Sequence, residues 1–209
     1  MKKRTLKPGT MLNPLPVVMV SCGSGETSNL ITVAWTGIVN SEPPMTYVSV
    51  KKTRHSHDLI EKNGEFVINL VNRDLVKACD FCGVRSGRNL DKWKETGLTP
   101  IPASVVSSDM ILESPVNLEC RVHETHSYPS HDMFVAEIVS VHVDESLING
   151  AGKICLEDAD LIVYNHGAYM PVQKKILGTF GFSVMKPKTQ KRKAAERRRK
   201  SRMSRPKKG

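Results

Sequence analysis

Residues 29–37 read NLITVAWTG, and within them Ile31–Trp35 has the β-branched and aromatic composition of a buried strand. Similar short runs recur along the chain, which predicts a protein built mostly of strands. The clearest alternation of apolar and polar residues is in Val116–Val122. The longest apolar run is Met133–Val143, as expected of a strand that is central to a sheet or buried on both sides. The other predicted strands are Val17–Ser21, Met45–Val50 and Phe66–Val71.

Short helices are predicted between these strands, each with a capping residue at its start. The predicted caps and helix ends are Ser56 to about Lys62, Asn72 to about Phe81, and Asn89 to Thr96. A polar loop, His123–Asp132, joins the last two strands as a hairpin. Many strands at short spacing, with small helices inserted, favour a closed antiparallel barrel over alternating βαβ units. The predicted fold class is therefore mainly β with short inserted helices.

The charge of the chain is concentrated at its C-terminal end. The 209 residues carry 31 Lys and Arg against 21 Asp and Glu, a net charge of +10. Residues 186–209 hold 13 of these bases and one acid, and the rest of the chain is close to neutral. Because this tail has no apolar periodicity, we expect one folded domain, residues 1–185, followed by a disordered basic tail, residues 186–209.

The sequence points to a reduced, cytoplasmic protein. No apolar run reaches the length of a membrane-spanning helix, about 18 residues or more. Five cysteines are an odd number in a chain too long to need a disulfide framework. Cys79 and Cys82 form a Cys-x-x-Cys pair that fits three roles: packing as small apolar side chains, half of a zinc site, or a redox pair. We favour packing, and we interpret the His123–Asp132 stretch as a polar loop, so no metal site is assigned.

One set of polar residues suits a planar ligand that carries a phosphate. Hydroxyl and amide groups can donate hydrogen bonds to phosphate oxygens, and cationic side chains can neutralise the phosphate charge. Trp35 offers a flat apolar wall and an indole donor. The predicted phosphate residues are Asn29, Thr32, Thr36 and Ser56, with Arg54 and Lys92 as the cations.

The order of these motifs resembles the flavin reductase-like, FMN-binding split β-barrel family, and most closely its flavoredoxin branch. The matching motifs cover about residues 8–185 and do not include the tail. They are N-x-x-T-V-A-W-x-G from Asn29, Pro43-Pro44, R-x-S from Arg54, F-V-I-N-L from Phe66, S-G-x-x-x-D-K from Ser86, His131-Asp132, Tyr164, Tyr169 and Leu177-Gly178-Thr-Phe.

This resemblance implies a homodimeric FMN-binding split β-barrel with FMN near the subunit interface. It also implies that the electron donor is either NAD(P)H or another redox protein. The cofactor contacts would fall on Asn29, Thr32, Ala34, Trp35, Arg54, Ser56 and Lys92, with His131 and Tyr164 near the isoalloxazine ring. The basic tail leaves an alternative of a different class open, a nucleic-acid-associated protein that contacts phosphates nonspecifically.

Overall fold

The computed structural model describes residues 1–187, 189 and 192, so nearly all of the basic tail expected from the sequence lies outside the described residues. The chain divides into two units, Met1–Val172 and Gln173–Gly209, and the boundary predicted at residue 185 falls inside the second. Within the described residues, no helix has the length and hydrophobicity needed to cross a membrane. The strands and helices are β1 Leu15–Pro16, β2 Val18–Cys22, β3 Asn29–Val33, β4 Thr36–Ser41, β5 Pro44–Lys51, α1 His55–Asn63, β6 Glu65–Leu70, α2 Val76–Val84, α3 Lys92–Thr96, β7 Pro100–Ile101, β8 Met110–Ile111, β9 Val116–Ser127, β10 His131–Val143, β11 Ile162–Asn165 and β12 Ala168–Pro171.

The largest sheet has seven antiparallel strands in the order β3-β2-β6-β9-β10-β5-β4. Its two outer strands, β3 and β4, are joined in the chain only by Ala34 and Trp35. Because consecutive Cα atoms are about 3.8 Å apart, the end of β3 lies at most about 11 Å from the start of β4. A flat sheet of this width would separate its outer strands by about 29 Å. The sheet therefore curls into a barrel, which is split where β3 and β4 meet.

The strands β2 and β3 are buried on both faces, since successive side chains of a strand point to opposite sides. On the inner face, Val20 and Ile31 pack inside the barrel with Phe66. On the outer face, Met19 and Leu30 pack against α2 and α3. Burial on both faces explains why these strands read as short continuous apolar runs. The mainly β fold with inserted helices, expected from the sequence, is confirmed.

All three predicted helices exist, but their predicted caps were wrong. Ser56 lies inside α1, where its hydroxyl accepts a hydrogen bond from a side chain of β3. Asn72 caps only a turn before α2, accepting from the Leu75 backbone N–H at 3.2 Å. Asp91, rather than Asn89, caps α3 by accepting from two backbone N–H groups. Neither α1 nor α2 has a side-chain cap, so of the three helices only α3 is capped by a side chain.

Most residues of the predicted polar loop His123–Asp132 belong to paired β-strands. The strand β9 continues to Ser127 and β10 begins at His131, so only Tyr128–Ser130 form the turn. The polar side chains of this hairpin are largely exposed, and the cross-strand backbone hydrogen bonds do not require apolar side chains. The predicted loop was therefore too long, because these strand residues are polar.

The polar face predicted for β9 is also buried over part of its length. Glu119 has no exposed surface, because the connector before β8 covers it. Its carboxylate accepts hydrogen bonds from the backbone N–H groups of Ser104, Val105 and Val106 at 2.7–2.9 Å, and from His142 Nε2 at 2.6 Å. Burial opposes ionisation, but these hydrogen bonds prevail and lower the pKa of Glu119 to about 2.

Candidate functional site

A cavity of about 430 Å³, here called the wide cavity, lies at the split of the barrel. The two residues that join β3 to β4 form part of its wall, with side chains from β5, α2, β10 and the β11–β12 hairpin opposite them. Its volume is in the range of small-molecule sites, roughly 300–1,000 Å³. The lining residues are Val17, Ile31, Thr32, Val33, Ala34, Trp35, Ser49, Val50, Lys51, Arg54, Asp80, Gly83, Val84, His131, Tyr164, Gly167 and Tyr169.

A second, smaller cavity adjoins the wide cavity and is here called the narrow cavity. The two share the lining residues Ile31 and Arg54, so they lie side by side. The narrow cavity lies among β3, the start of α1 and the segment between α2 and α3. Its lining residues are Asn29, Ile31, Arg54, His55, Ser56, Cys82, Arg85, Ser86, Gly87 and Lys92.

The structure brings nine of the ten residues selected from the sequence to these two cavities. Thr32, Ala34, Trp35, Arg54, His131 and Tyr164 line the wide cavity. Asn29, Ser56, Lys92 and again Arg54 line the narrow cavity. Thr36 lines neither, and its hydroxyl donates to the Tyr47 carbonyl at 2.6 Å across the β4–β5 ladder. Thr32 faces the wide cavity only, and its hydroxyl donates to the Cys79 carbonyl.

The narrow cavity concentrates positive charge. Arg54, Arg85 and Lys92 all line it. Lys92 is only 4% exposed, and its ammonium donates to the Leu30 and Cys82 carbonyls at 2.6 and 2.8 Å. Burial and the nearby Arg54 charge lower the pKa of Lys92. Three cations around one small space repel one another, so a bound anion would stabilise this group of charges.

The narrow cavity also contains a neutral group that can donate a hydrogen bond to a ligand. The Asn29 amide donates to Ser56 Oγ at 2.7 Å, which leaves the Ser56 O–H able to donate into the cavity. Gly87 lies directly against this pair, because a Cβ at position 87 would be 2.0 Å from Asn29 Oδ1. A side chain at position 87 would therefore displace Asn29. The three cations and the Ser56 hydroxyl together give this cavity the chemistry of an anion site.

The wide cavity has aromatic walls near its opening. The rings of Trp35 and His131 are 4.6 Å apart and tilted by 39°. Trp35 is 41% exposed, so its indole lies at the boundary between the cavity and solvent. Burial and the nearby Lys51 ammonium lower the pKa of His131, which favours the neutral imidazole at neutral pH. This wall can hold a planar ring and offer it an imidazole hydrogen bond.

The lining of the wide cavity also includes Asp80 and Tyr169, which were not selected as binding residues from the sequence. Tyr169 donates its hydroxyl to Asp80 Oδ1 at 3.1 Å, and Tyr164 packs edge-on against Tyr169. Burial, together with the charge of Asp80, raises the pKa of Tyr169. The signal for Asp80 was its helical spacing with Gly83 and Val84, since these residues lie on one face of α2.

A buried pair lies between residues that adjoin the two cavities. His57 Nε2 and Asp132 Oδ2 are 2.7 Å apart, and both residues are more than nine-tenths buried. His57 follows Ser56 on α1, and Asp132 follows His131 on β10. The pair therefore fixes the position of α1 relative to the start of β10.

The two cysteines of the Cys-x-x-Cys pair belong to the core between α2 and the sheet. Both are fully buried, and all five cysteines of the chain are free thiols. Burial raises the pKa of Cys79 to about 12 and that of Cys82 to about 11. These properties are those of packed side chains that stay protonated.

Comparison with known proteins gives consistent results. Residues 11–173 match the family model described as the flavin reductase like domain. The structure is similar to flavoredoxin of Desulfovibrio vulgaris (Miyazaki F), with a TM-score of 0.81 and 28% identity, covering 87% of this chain and 100% of that chain. For flavoredoxin from Methanosarcina acetivorans the TM-score is 0.79 and the identity 29%, covering 88% and 100%. The chain is also 27% identical over 163 residues to the NADH-dependent FMN reductase AsuE2 of Streptomyces nodosus subsp. asukaensis, covering 76% of this chain and 78% of that relative. These similarities confirm the split β-barrel.

Proposed function

Because the chain belongs to the flavin reductase-like domain family, we propose that it binds FMN and transfers electrons through the bound flavin. The fold itself supports flavin-related electron transfer in general. The finer proposal is that FMN is the cofactor and that NAD(P)H or a redox protein is the donor. An FMN reductase and two flavoredoxins among the similar proteins support this choice.

The single observation that carries the proposal is the pairing of two adjoining cavities of different character. The wide cavity has aromatic walls and a volume of about 430 Å³, and the narrow cavity is lined by three cations. FMN has the same division, a planar ring system at one end and a phosphate at the other. We expect its ring in the wide cavity and its phosphate in the narrow cavity.

When bound, FMN supplies the redox chemistry, and the residues of this chain bind and orient it. Arg54, Arg85 and Lys92 neutralise the phosphate, and Ser56 donates to it. Trp35 covers the ring at the solvent boundary and excludes water from one side. A hydrogen bond donated by the neutral His131 to the ring stabilises negative charge on it, which makes the flavin easier to reduce.

The spectrum of the purified protein tests the proposal. Full-length protein is purified without added flavin, its visible spectrum is recorded, and FMN is titrated into it. Replacing Trp35 with Leu should weaken FMN binding about tenfold, because stacking on an aromatic wall contributes about 1–3 kcal/mol. The matched control is Tyr128→Leu, an aromatic residue that is 52% exposed in the β9–β10 turn, away from both cavities. Wild-type protein that neither carries nor binds FMN would refute the proposal.

The donor is identified with the FMN-loaded protein. NADH and NADPH are added separately under anaerobic conditions, and bleaching of the flavin absorbance is followed. Rapid bleaching by either nucleotide would make the protein an NAD(P)H-dependent reductase. Bleaching only by a reduced redox protein would make it an electron carrier of the flavoredoxin type.

We further propose that the protein is a homodimer. The edge strand β4 exposes two adjacent apolar residues, Ile38 at 73% and Val39 at 53%. An apolar edge strand next to an open cavity is normally covered by another chain. Sedimentation should give twice the chain mass of 23.2 kDa, and Ile38→Lys should shift the protein toward the monomer. A wild-type monomer with FMN bound would contradict this proposal.

A further inference from the structure

Three potential metal ligands lie together where α1 packs against the start of β10. His57 and Glu61 are four residues apart on α1, so their side chains lie on the same face of the helix. Asp132 adds a carboxylate from β10. The imidazole nitrogen and the two carboxylate oxygens all lie within 4.8 Å of one another, and no other three such side chains in the described part of the chain come this close. None of the three residues lines the wide or the narrow cavity.

The carboxylate of Asp132 is buried, and one of its oxygens lacks a hydrogen bond. The residue is only 7% exposed, and its Oδ2 lies 2.7 Å from His57 Nε2. Among the described residues, none donates a hydrogen bond to Oδ1. The Lys52 ammonium is 3.3 Å from Oδ1 but is not aligned for a hydrogen bond to it, and donates instead to Ser127 Oγ at 2.7 Å. A buried carboxylate oxygen in this state is unfavourable, and a cation bound to it would remove the cost.

The imidazole of His57 is held in the orientation of a metal ligand. Its Nδ1 lies 3.4 Å from Asp58 Oδ1, and the other oxygen of Asp58 accepts a hydrogen bond from Arg88 at 3.0 Å. The ring also packs near Phe134, with the two ring centroids 5.4 Å apart. An imidazole that binds a metal commonly donates from its other nitrogen to a carboxylate, which fixes the ring. Here that arrangement leaves Nε2 directed at Asp132.

We propose that His57 Nε2 and the carboxylates of Glu61 and Asp132 bind one Zn²⁺ ion, with water as the fourth ligand. One imidazole and two carboxylates are ligands that zinc accepts. Ligand atoms around a tetrahedral zinc ion are about 3.3 Å apart. The exposed Glu61 side chain therefore turns inward, and His57 Nε2 and Asp132 Oδ2 move slightly apart. The ion replaces the proton shared by these two atoms, and that proton passes to solvent.

The ion would connect the two segments that carry residues of the candidate site. Ser56, beside His57 on α1, lines the narrow cavity, and His131, beside Asp132 on β10, lines the wide cavity. Zinc would therefore hold α1 against β10 without entering either cavity. Because a ligand that binds only the folded chain stabilises it, Zn²⁺ should raise the temperature of unfolding. The assignment does not depend on a bound flavin.

The test is a titration of the full-length protein, purified without a histidine tag and freed of metal with a chelator. Calorimetry should show one Zn²⁺ bound per chain, with a dissociation constant of about 1 μM or lower. Mg²⁺, which prefers oxygen ligands alone, should bind at least about a hundredfold more weakly. Glu61→Gln changes an exposed residue, so the variant should fold, and it should raise the dissociation constant for Zn²⁺ at least about tenfold. The rise in unfolding temperature with Zn²⁺ should be smaller in this variant than in the wild type.

Three further variants separate this site from zinc bound elsewhere on the surface. Lys52→Met removes the competing cation and should tighten Zn²⁺ binding about threefold or more. Glu145→Gln, at an exposed glutamate outside the group, and His126→Gln, at an exposed imidazole, should leave the affinity unchanged within about twofold. Loss of binding in His126→Gln but not in Glu61→Gln would place the ion on the surface and overturn the assignment. Wild-type protein that binds no Zn²⁺, or binds Mg²⁺ as tightly, would also overturn it.

Discussion

Replacing Lys92 with Met tests the phosphate end of the site most directly. Methionine keeps much of the side-chain volume but has no donor. Lys92 faces the narrow cavity beside Arg54, and its ammonium also donates to the Leu30 and Cys82 carbonyls at 2.6 and 2.8 Å. The substitution should therefore affect both FMN affinity and the stability of the fold.

The two effects have different magnitudes and can be measured separately. A hydrogen bond to a charged group contributes about 1.5–3 kcal/mol, so FMN affinity should fall about ten- to a hundredfold. A buried carbonyl left without its donor costs about 1–3 kcal/mol, but removing a buried ammonium offsets part of this cost. We expect a net decrease of about 1–3 kcal/mol in the free energy of unfolding.

Arg54→Met is the matched variant, because Arg54 is exposed and lines the same cavity. It should weaken FMN binding to a similar degree but change the free energy of unfolding by less than about 0.5 kcal/mol. Affinities are measured by flavin fluorescence, with riboflavin as the ligand that lacks the phosphate, and stability by urea unfolding. Riboflavin affinity should be unchanged in Lys92→Met, because Lys92 lines the narrow cavity and not the wide cavity. A Lys92→Met protein that binds FMN as tightly as the wild type would refute the placement of the phosphate.

The other predictions concern the site, the fold and the tail. Ser56→Ala should raise the dissociation constant for FMN about tenfold, whereas Thr36→Val, at a residue that lines neither of the two cavities, should leave it unchanged within about twofold. Because the pKa of Glu119 is lowered from 4.5 to about 2, wild-type stability should fall by about 3 kcal/mol as the pH falls from about 4.5 to about 2. Glu119→Gln should lack this part of the pH dependence in urea unfolding at a series of pH values, and an identical profile would contradict the assignment. Deleting residues 186–209, which carry a charge of +12, should abolish the salt-sensitive retention on heparin and leave FMN affinity unchanged; loss of the flavin would show that the tail contributes to the site.

Much of the fold and of the site could be predicted from the sequence, because the relevant signals are local. The alternation in Val116–Val122 depends only on neighbouring residues, and so does the apolar run Ile31–Trp35. Each became part of a strand, although β9 continues to Ser127 and β3 ends at Val33. Trp35 and Arg54 were found in the same way, because an aromatic residue at a strand end and a cation before a helix are visible in the sequence alone.

Only the tertiary structure decided which polar side chains line the cavities and where the barrel splits. The hydroxyls of Thr32 and Thr36 both donate to backbone carbonyls, those of Cys79 and Tyr47, and only Thr32 lines a cavity. Arg85 and Glu119 have no local signal either, because their surroundings come from segments that are distant in sequence. Whether a polar side chain faces a ligand, a carbonyl or solvent depends on strand register and chain packing, and local sequence does not determine these.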